Sequence, residues 1–110
     1  MGTRIIQRPD GKEDGKQTWY YENGQIKDEG NFKNWEMDGK WTFYYKNGQM
    51  KREANFKDGN FDGKYTQYYE NGQIEREGNF KDGEKDGKWT YYNEDGSIKE
   101  VEEYKEVGEY

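Results

Sequence analysis

The sequence predicts an all-β fold: a single-layer antiparallel β-meander of repeated hairpins, twisted or trough-shaped. Three observations predict it. Asp-Gly-Lys recurs at Asp14, Asp38, Asp62 and Asp86, a constant step of 24 residues. Each copy then carries a run of Thr and aromatic residues, the composition of a pleated strand. Asn-Gly or Asp-Gly follows each run, at Asn23, Asn47, Asn71 and Asp95, and these pairs are the strongest short-range hairpin signals.

Composition sets the thickness of the fold. The chain has 110 residues, one ordinary domain, with only 28% apolar residues and no leucine. Low apolar content with a net charge of -6 is the general signature of disorder. Here the apolar residues are mostly aromatic (11 Tyr, 5 Phe, 4 Trp) and recur at fixed places. Each ring buries a large area, so a few stabilise a thin layer. Cysteine and histidine are absent. That removes disulfides, thiolate metal sites, the commonest general base and the usual pH switch. The acidic balance argues against nucleic acid and disfavours anionic lipid, since both call for a basic footprint. Nothing reads as a signal peptide or a membrane span, so a cytoplasmic location is favoured.

In chain order, residues 1–13 read as an N-terminal half repeat or cap, because terminal repeats are commonly atypical. Repeats follow at 14–37, 38–61, 62–85 and 86–110, the last including a C-terminal cap. The first strands are QTWYY (17–21), WTFYY (41–45), YTQYY (65–69) and WTYYN (89–93). A type I′ turn at each Asn-Gly or Asp-Gly leads to a second strand starting at Ile26, Met50, Ile74 or Ile98. That turn pairs Tyr45 with Met50, Phe43 with Arg52 and Trp41 with Ala54, all on one face. At the place of Ala54, copies one and three have Gly30 and Gly78, which leave room for a cross-strand ring. The other face holds Thr42, Tyr44, Lys51, Glu53 and Asn55, with a regular tyrosine at Tyr20, Tyr44, Tyr68 and Tyr92. Short Asp-Gly links join neighbouring hairpins. The result is about nine strands spanning on the order of 40 Å, bent by twist into a trough. Two places depart from the pattern. Trp35 stands where Gly59 and Gly83 stand, which makes the first link unlike the others. Ser97 and Glu100 have capping-box spacing and admit a helix over 98–108, whereas Ile98 and Tyr104 align with the strands of the other copies.

The aromatic face is the candidate binding surface: Trp19, Tyr21, Trp41, Phe43, Tyr45, Tyr65, Tyr69, Trp89 and Tyr91. These rings serve as the thin core, and rings left open on a one-layer sheet also make a groove. The expected partner is a protein, with self-association through edge strands as a further expectation. For metal, Asp58, Asn60 and Asp62 are weak candidates. They match the opening of a calcium loop, but Tyr69 occupies the place of the closing glutamate, and Asp-Gly suits a turn anyway. Glu29, Glu53 and Glu77 project beside lysines and read as cross-strand ion pairs. Ser97 is a turn residue. No catalytic constellation and no cofactor site emerge, so no enzyme activity is expected.

The repeating unit D-G-K-W-T-x-Y-Y-x-N-G-Q-I-x-x-E-G-N-F-K-D-G resembles the MORN repeat in its longer bacterial variant form. The resemblance covers residues 14 to about 106 and the half unit before them. It implies stacked hairpins in a twisted single sheet and a role as an interaction module, for proteins, dimer partners or membrane phospholipids. It also implies kinship with bacterial proteins labelled antitoxins of toxin–antitoxin pairs. Some MORN proteins carry the name of phosphatidylinositol phosphate kinases, but this chain has no glycine-rich phosphate loop and no room for a kinase domain. Choline-binding repeats also contain Trp-Tyr-Tyr and glycine turns. Their unit is shorter and opens with Gly-Trp, unlike the Gly-Lys here.

Overall fold

The computed structural model describes residues 15–105. Eight strands follow one another: β1 (Gly15–Tyr20), β2 (Ile26–Lys33), β3 (Glu36–Tyr44), β4 (Met50–Lys57), β5 (Asn60–Tyr68), β6 (Ile74–Lys81), β7 (Glu84–Tyr92) and β8 (Ile98–Tyr104). Spatial order equals chain order in one sheet, and every neighbouring pair is antiparallel. The principal extents are 48 × 40 × 17 Å, the shape of a single twisted layer. The segment after Ser97 is strand β8, not a helix. The expected half repeat over 1–13, and with it the ninth strand, lies outside the described residues.

Two turn types alternate along the meander, and their placement corrects the sequence reading. The Asn-Gly turns are not type I′. The Gly48 N–H donates to the Tyr45 carbonyl (3.0 Å) and the Tyr45 N–H to the Gln49 carbonyl (2.8 Å). Gly48 has φ 89°, while Asn47 stays out of the left-handed region. This is a type I turn closed by a left-handed glycine bulge. Asn47 acts through its side chain instead, its Oδ1 accepting the Gln49 N–H at 2.8 Å. The bulge shifts the register by one at the turn: Met50 pairs with Tyr44 rather than Tyr45. Below it, Phe43–Arg52 and Trp41–Ala54 pair as expected.

True two-residue turns, left-handed at both positions, sit in the links instead. Asp58 and Gly59 have φ 52° and 81°, and Asp82 and Gly83 have 52° and 84°. The first link has the same backbone, with Asn34 at 53° and Trp35 at 68°. It differs from the others in side chain alone.

The buried core is one file of rings on one face. Trp19, Trp41, Tyr65 and Trp89 are buried together with Ala54. Trp19 stacks on Trp41 at 5.7 Å, and Phe32 meets Trp41 edge-on at 5.2 Å. The file continues through Phe56–Phe61 at 4.9 Å and Phe61–Phe80 at 4.8 Å, and Phe80 meets Trp89 edge-on at 5.1 Å. Such pairs add about 1 kcal/mol each beyond their area. The glycines do accommodate rings, but from the following strand rather than the hairpin partner. Gly30 pairs with Gln17 in its own hairpin, and it is the Trp41 indole from β3 that covers it. Trp89 covers Gly78 in the same way. Each indole N–H is satisfied nearby, Trp41 by the Asn31 carbonyl (2.8 Å) and Trp89 by the Asn79 carbonyl (2.9 Å).

Neighbouring hairpins are also fastened along the turn edge. The hydroxyls of Tyr21, Tyr45 and Tyr69 donate to the carbonyls of Tyr44, Tyr68 and Tyr92, each at 2.7 Å. The fourth copy has Asn93 at this position, and its amide turns back to Ser97 Oγ at 3.1 Å. The forward-reaching tyrosine hydroxyl is thus replaced in the fourth copy.

Candidate interaction surface

The nine aromatic residues singled out by the sequence divide by depth. Trp19, Trp41, Tyr65 and Trp89 are buried, Trp41 to 1% exposure. Tyr21, Phe43, Tyr45, Tyr69 and Tyr91 are half-buried. Of these, Tyr21, Tyr45 and Tyr69 have committed their hydroxyls to the next hairpin. The outward part of the aromatic face is therefore the row at the third strand position in the later copies: Phe43, Gln67 and Tyr91, opposite Arg52, Arg76 and Glu100; Trp19, at the same position in the first copy, is buried.

This row is polar and aromatic at once. The Arg52 guanidinium lies 4.5 Å over the Phe43 ring, and its Nη1 donates to the Tyr65 hydroxyl at 3.4 Å. Tyr65 donates to Gln67 Oε1 at 2.8 Å. Arg76 Nε and Nη2 donate to the same oxygen at 3.2 and 3.0 Å. At the far end the Lys85 ammonium sits 5.0, 5.4 and 5.2 Å from the rings of Trp89, Tyr91 and Tyr104, and donates to the Tyr91 hydroxyl at 2.8 Å. Lys85 takes the place that Met37 and Phe61 hold in earlier copies. The sequence-derived set omits Arg52, Arg76 and Lys85. The signal for Arg52 is nevertheless present, since the hairpin register sets it opposite Phe43.

The opposite face repeats a carboxylate–phenol–ammonium ladder. Tyr44 donates to Glu29 at 3.4 Å, and Tyr92 donates to Glu77 at 2.6 Å. Lys40 pairs with Glu53 at 3.0 Å. Burial pushes the Tyr44 phenol above its ordinary range, with Glu29 adding to the shift. For Tyr92 the hydrogen bond to Glu77 is the leading cause. The Lys40 ammonium is held protonated mainly by its hydrogen bond to Glu53. Two open cavities lie on this face. One of about 230 Å³ is lined by Lys40, Glu53, Asn55, Lys64 and Thr66, and another of about 560 Å³ lies between Lys64 and Val101.

The metal candidates lie along one link and the strand that follows it. Asp58 is an exposed turn residue and Asn60 begins β5. Asp62 accepts the Asp82 N–H at 3.3 Å. Among the described residues no group of three Asp or Glu side chains could hold a metal ion.

Trp35 is the one tryptophan at the surface among the described residues, 63% exposed. Its backbone sits in the left-handed region, a cost of about 1–2 kcal/mol for a non-glycine residue.

The family model described as MORN repeat variant matches residues 13–34, 37–58, 61–82 and 85–106. A comparison with curated proteins returns no match. The four matched segments are the four hairpins, each opening on the residue before its Asp-Gly-Lys, and together they cover most of the sequence. The chain belongs to the MORN repeat family, in its variant form.

Proposed function

We propose that this protein is a non-catalytic interaction module that binds a protein partner through the outer strip of its aromatic face. MORN repeats are known as protein and membrane interaction modules, generally without catalysis. The observation that carries the reading is the strip Phe43, Arg52, Gln67, Arg76 and Tyr91 on a sheet one layer thick. Arg, Tyr and Trp dominate binding hot spots. Both arginines among the described residues stand on this face, in a chain of net charge -6. Stacking on Phe43 and bonding to Gln67 hold their guanidiniums in place before a partner arrives, which lowers the entropy lost on binding. A partner surface with carboxylates beside apolar groups complements them.

The test is comparative capture from a native extract, using wild type, the double variant Phe43→Ser with Arg52→Glu, and Lys40→Gln on the opposite face. Wild type and Lys40→Gln should retain a common partner that the double variant loses, with far-ultraviolet dichroism unchanged. Equal capture by all three proteins refutes the strip as the binding surface. Sedimentation with anionic vesicles, abolished by salt, would assign the module to lipid instead.

A further inference from the structure

Each copy holds the next through a recurring set of side chains. Tyr21, Tyr45 and Tyr69 send a hydroxyl to the backbone of the following hairpin. Asn23 and Asn71 send an amide, to the carbonyls of Lys46 and Glu94 at 3.1 Å. Gln25, Gln49 and Gln73 reach over the next turn, where a Cβ on Gly48, Gly72 or Gly96 would meet them. Glu29 and Glu77 accept the hydroxyls of Tyr44 and Tyr92. Gly30 and Gly78 seat the indoles of Trp41 and Trp89, and Ala54 seats Tyr65. In the fourth copy these forward-facing positions hold Asn93, Asp95, Ser97, Val101 and Glu102, so every one has changed. The backward-facing groups of the same copy are unchanged: Trp89 covers Gly78, Tyr92 donates to Glu77, and Gly96 lies beneath Gln73. The altered groups also close on their own hairpin. Asn93 Nδ2 donates to Ser97 Oγ at 3.1 Å, Ser97 Oγ donates to Asp95 Oδ1 at 2.6 Å, and Glu102 accepts the Tyr104 hydroxyl. Among the described residues β8 has a single strand neighbour, β7.

We infer that β8 is a closed end of the array, built to refuse a further copy of the repeat, whether in this chain or presented by a second chain. A Cβ at Gly30 would already enter the Trp41 ring, so Glu102 leaves no seat for the ring of a fifth copy and would bury its carboxylate beneath one. Val101 accepts no hydrogen bond, so an incoming tyrosine hydroxyl would stay unpaired. Asp95 has no amide hydrogen to send. An edge strand invites pairing, and head-to-tail contacts that do not close run on into a filament. Changing the forward contacts alone stops the array at β8 while the fourth copy stays fastened to the third. Self-association through edge strands is thus shut at this end in the repeat's own register. Closure of this end does not depend on what the outer strip binds.

Amide hydrogen exchange of the full chain extended by a fifth copy tests the end. The sequence of residues 38–61 replaces Tyr110, which keeps the 24-residue step, and Glu106→Asp with Val107→Gly supplies the Asp-Gly link of the second and third copies. One extended chain keeps the native end. Another carries Asn93→Tyr, Asp95→Asn, Ser97→Gln, Val101→Glu and Glu102→Gly, and a third carries Glu102→Gly alone. On the native end the fifth copy should exchange as an unfolded segment while β1 to β8 keep their protection. On the fully restored end its amides should slow by about tenfold or more, as coupling between neighbouring repeats requires. Glu102→Gly, which clears only the seat for the ring, should give a smaller slowing in the same amides. Protection of the fifth copy on the native end overturns the inference whatever the variants do. A fifth copy left unprotected on both altered ends, with β7 and β8 still protected, also overturns it, because these residues would then not be what closes the end.

Discussion

Gly30 and Gly78 are glycines because indole rings occupy the space their side chains would need. A Cβ at Gly30 would enter the Trp41 ring. Gly30→Ala should therefore destabilise the protein by about 2 kcal/mol, as overpacking does, measured by urea unfolding. Copy two shows the alternative solution, in which Ala54 sits against the smaller ring of Tyr65 and the two pair in register. Adding Trp41→Tyr to Gly30→Ala should then recover about 1 kcal/mol, a coupling that a double-mutant cycle reads directly. Additive losses would show that ring size is not the constraint. Trp35 presents the reverse situation, a large residue where the backbone favours glycine. Trp35→Gly should raise stability by about 1 kcal/mol through relief of left-handed strain. A lower melting temperature would mean that the indole holds the fold together, and its strain would then need no functional explanation.

At the scale of the hairpin, the turn decides more than the strands it joins. The three-residue turn sets Met50 opposite Tyr44, and the pairing returns to Phe43–Arg52 one step further on, with Lys51 left as the extra residue. Gly48→Val places a β-branched residue at φ 89° and should cost about 2 kcal/mol. Because the Tyr45 hydroxyl ties this turn to Tyr68, the loss should spread beyond one hairpin. Hydrogen exchange should quicken in β5 as well as in β3 and β4, as nearest-neighbour coupling between repeats requires. A melting temperature within a degree of wild type would contradict this account. The turn geometry was not legible in the Asn-Gly pairs. Asn-Gly satisfies both a type I′ turn and a type I turn with a bulge, and the choice depends on one residue of strand length.

For the whole molecule, stability is distributed along repeated contacts rather than gathered in a thick core. The tyrosines make it sensitive to alkali. The phenols of Tyr44, Tyr45 and Tyr68 are raised above their ordinary value of 10.0 chiefly by burial, and that of Tyr92 chiefly by its bond to Glu77. An acid whose folded pKa exceeds its unfolded one stabilises the fold fully below the unfolded value. That contribution is lost as pH rises through the folded value. The fold should hold its stability to about pH 10 and lose it progressively above. Phenolate absorbance and β-sheet dichroism should then change together. Phenolate formation in an intact sheet well below that range would contradict the buried, bonded phenols.

The sequence by itself determined the sheet. A constant step, alternating aromatic and polar positions and glycine-bearing turns fix strand order, single-layer architecture and which residues share a face, because side-chain alternation and short links admit little else. The division between buried and outward rings was not legible, since Gln17, Trp19, Trp41 and Phe43 read alike as face residues. Only the tertiary structure decided that Trp41 reaches back over Gly30 in the preceding hairpin. It also decided that Arg52 and Arg76 hold the outer strip, and that Lys64 and Lys88 converge on one cavity. These are relations between neighbouring copies, set by sheet twist and by the bulges at each glycine, and a repeat read singly does not contain them.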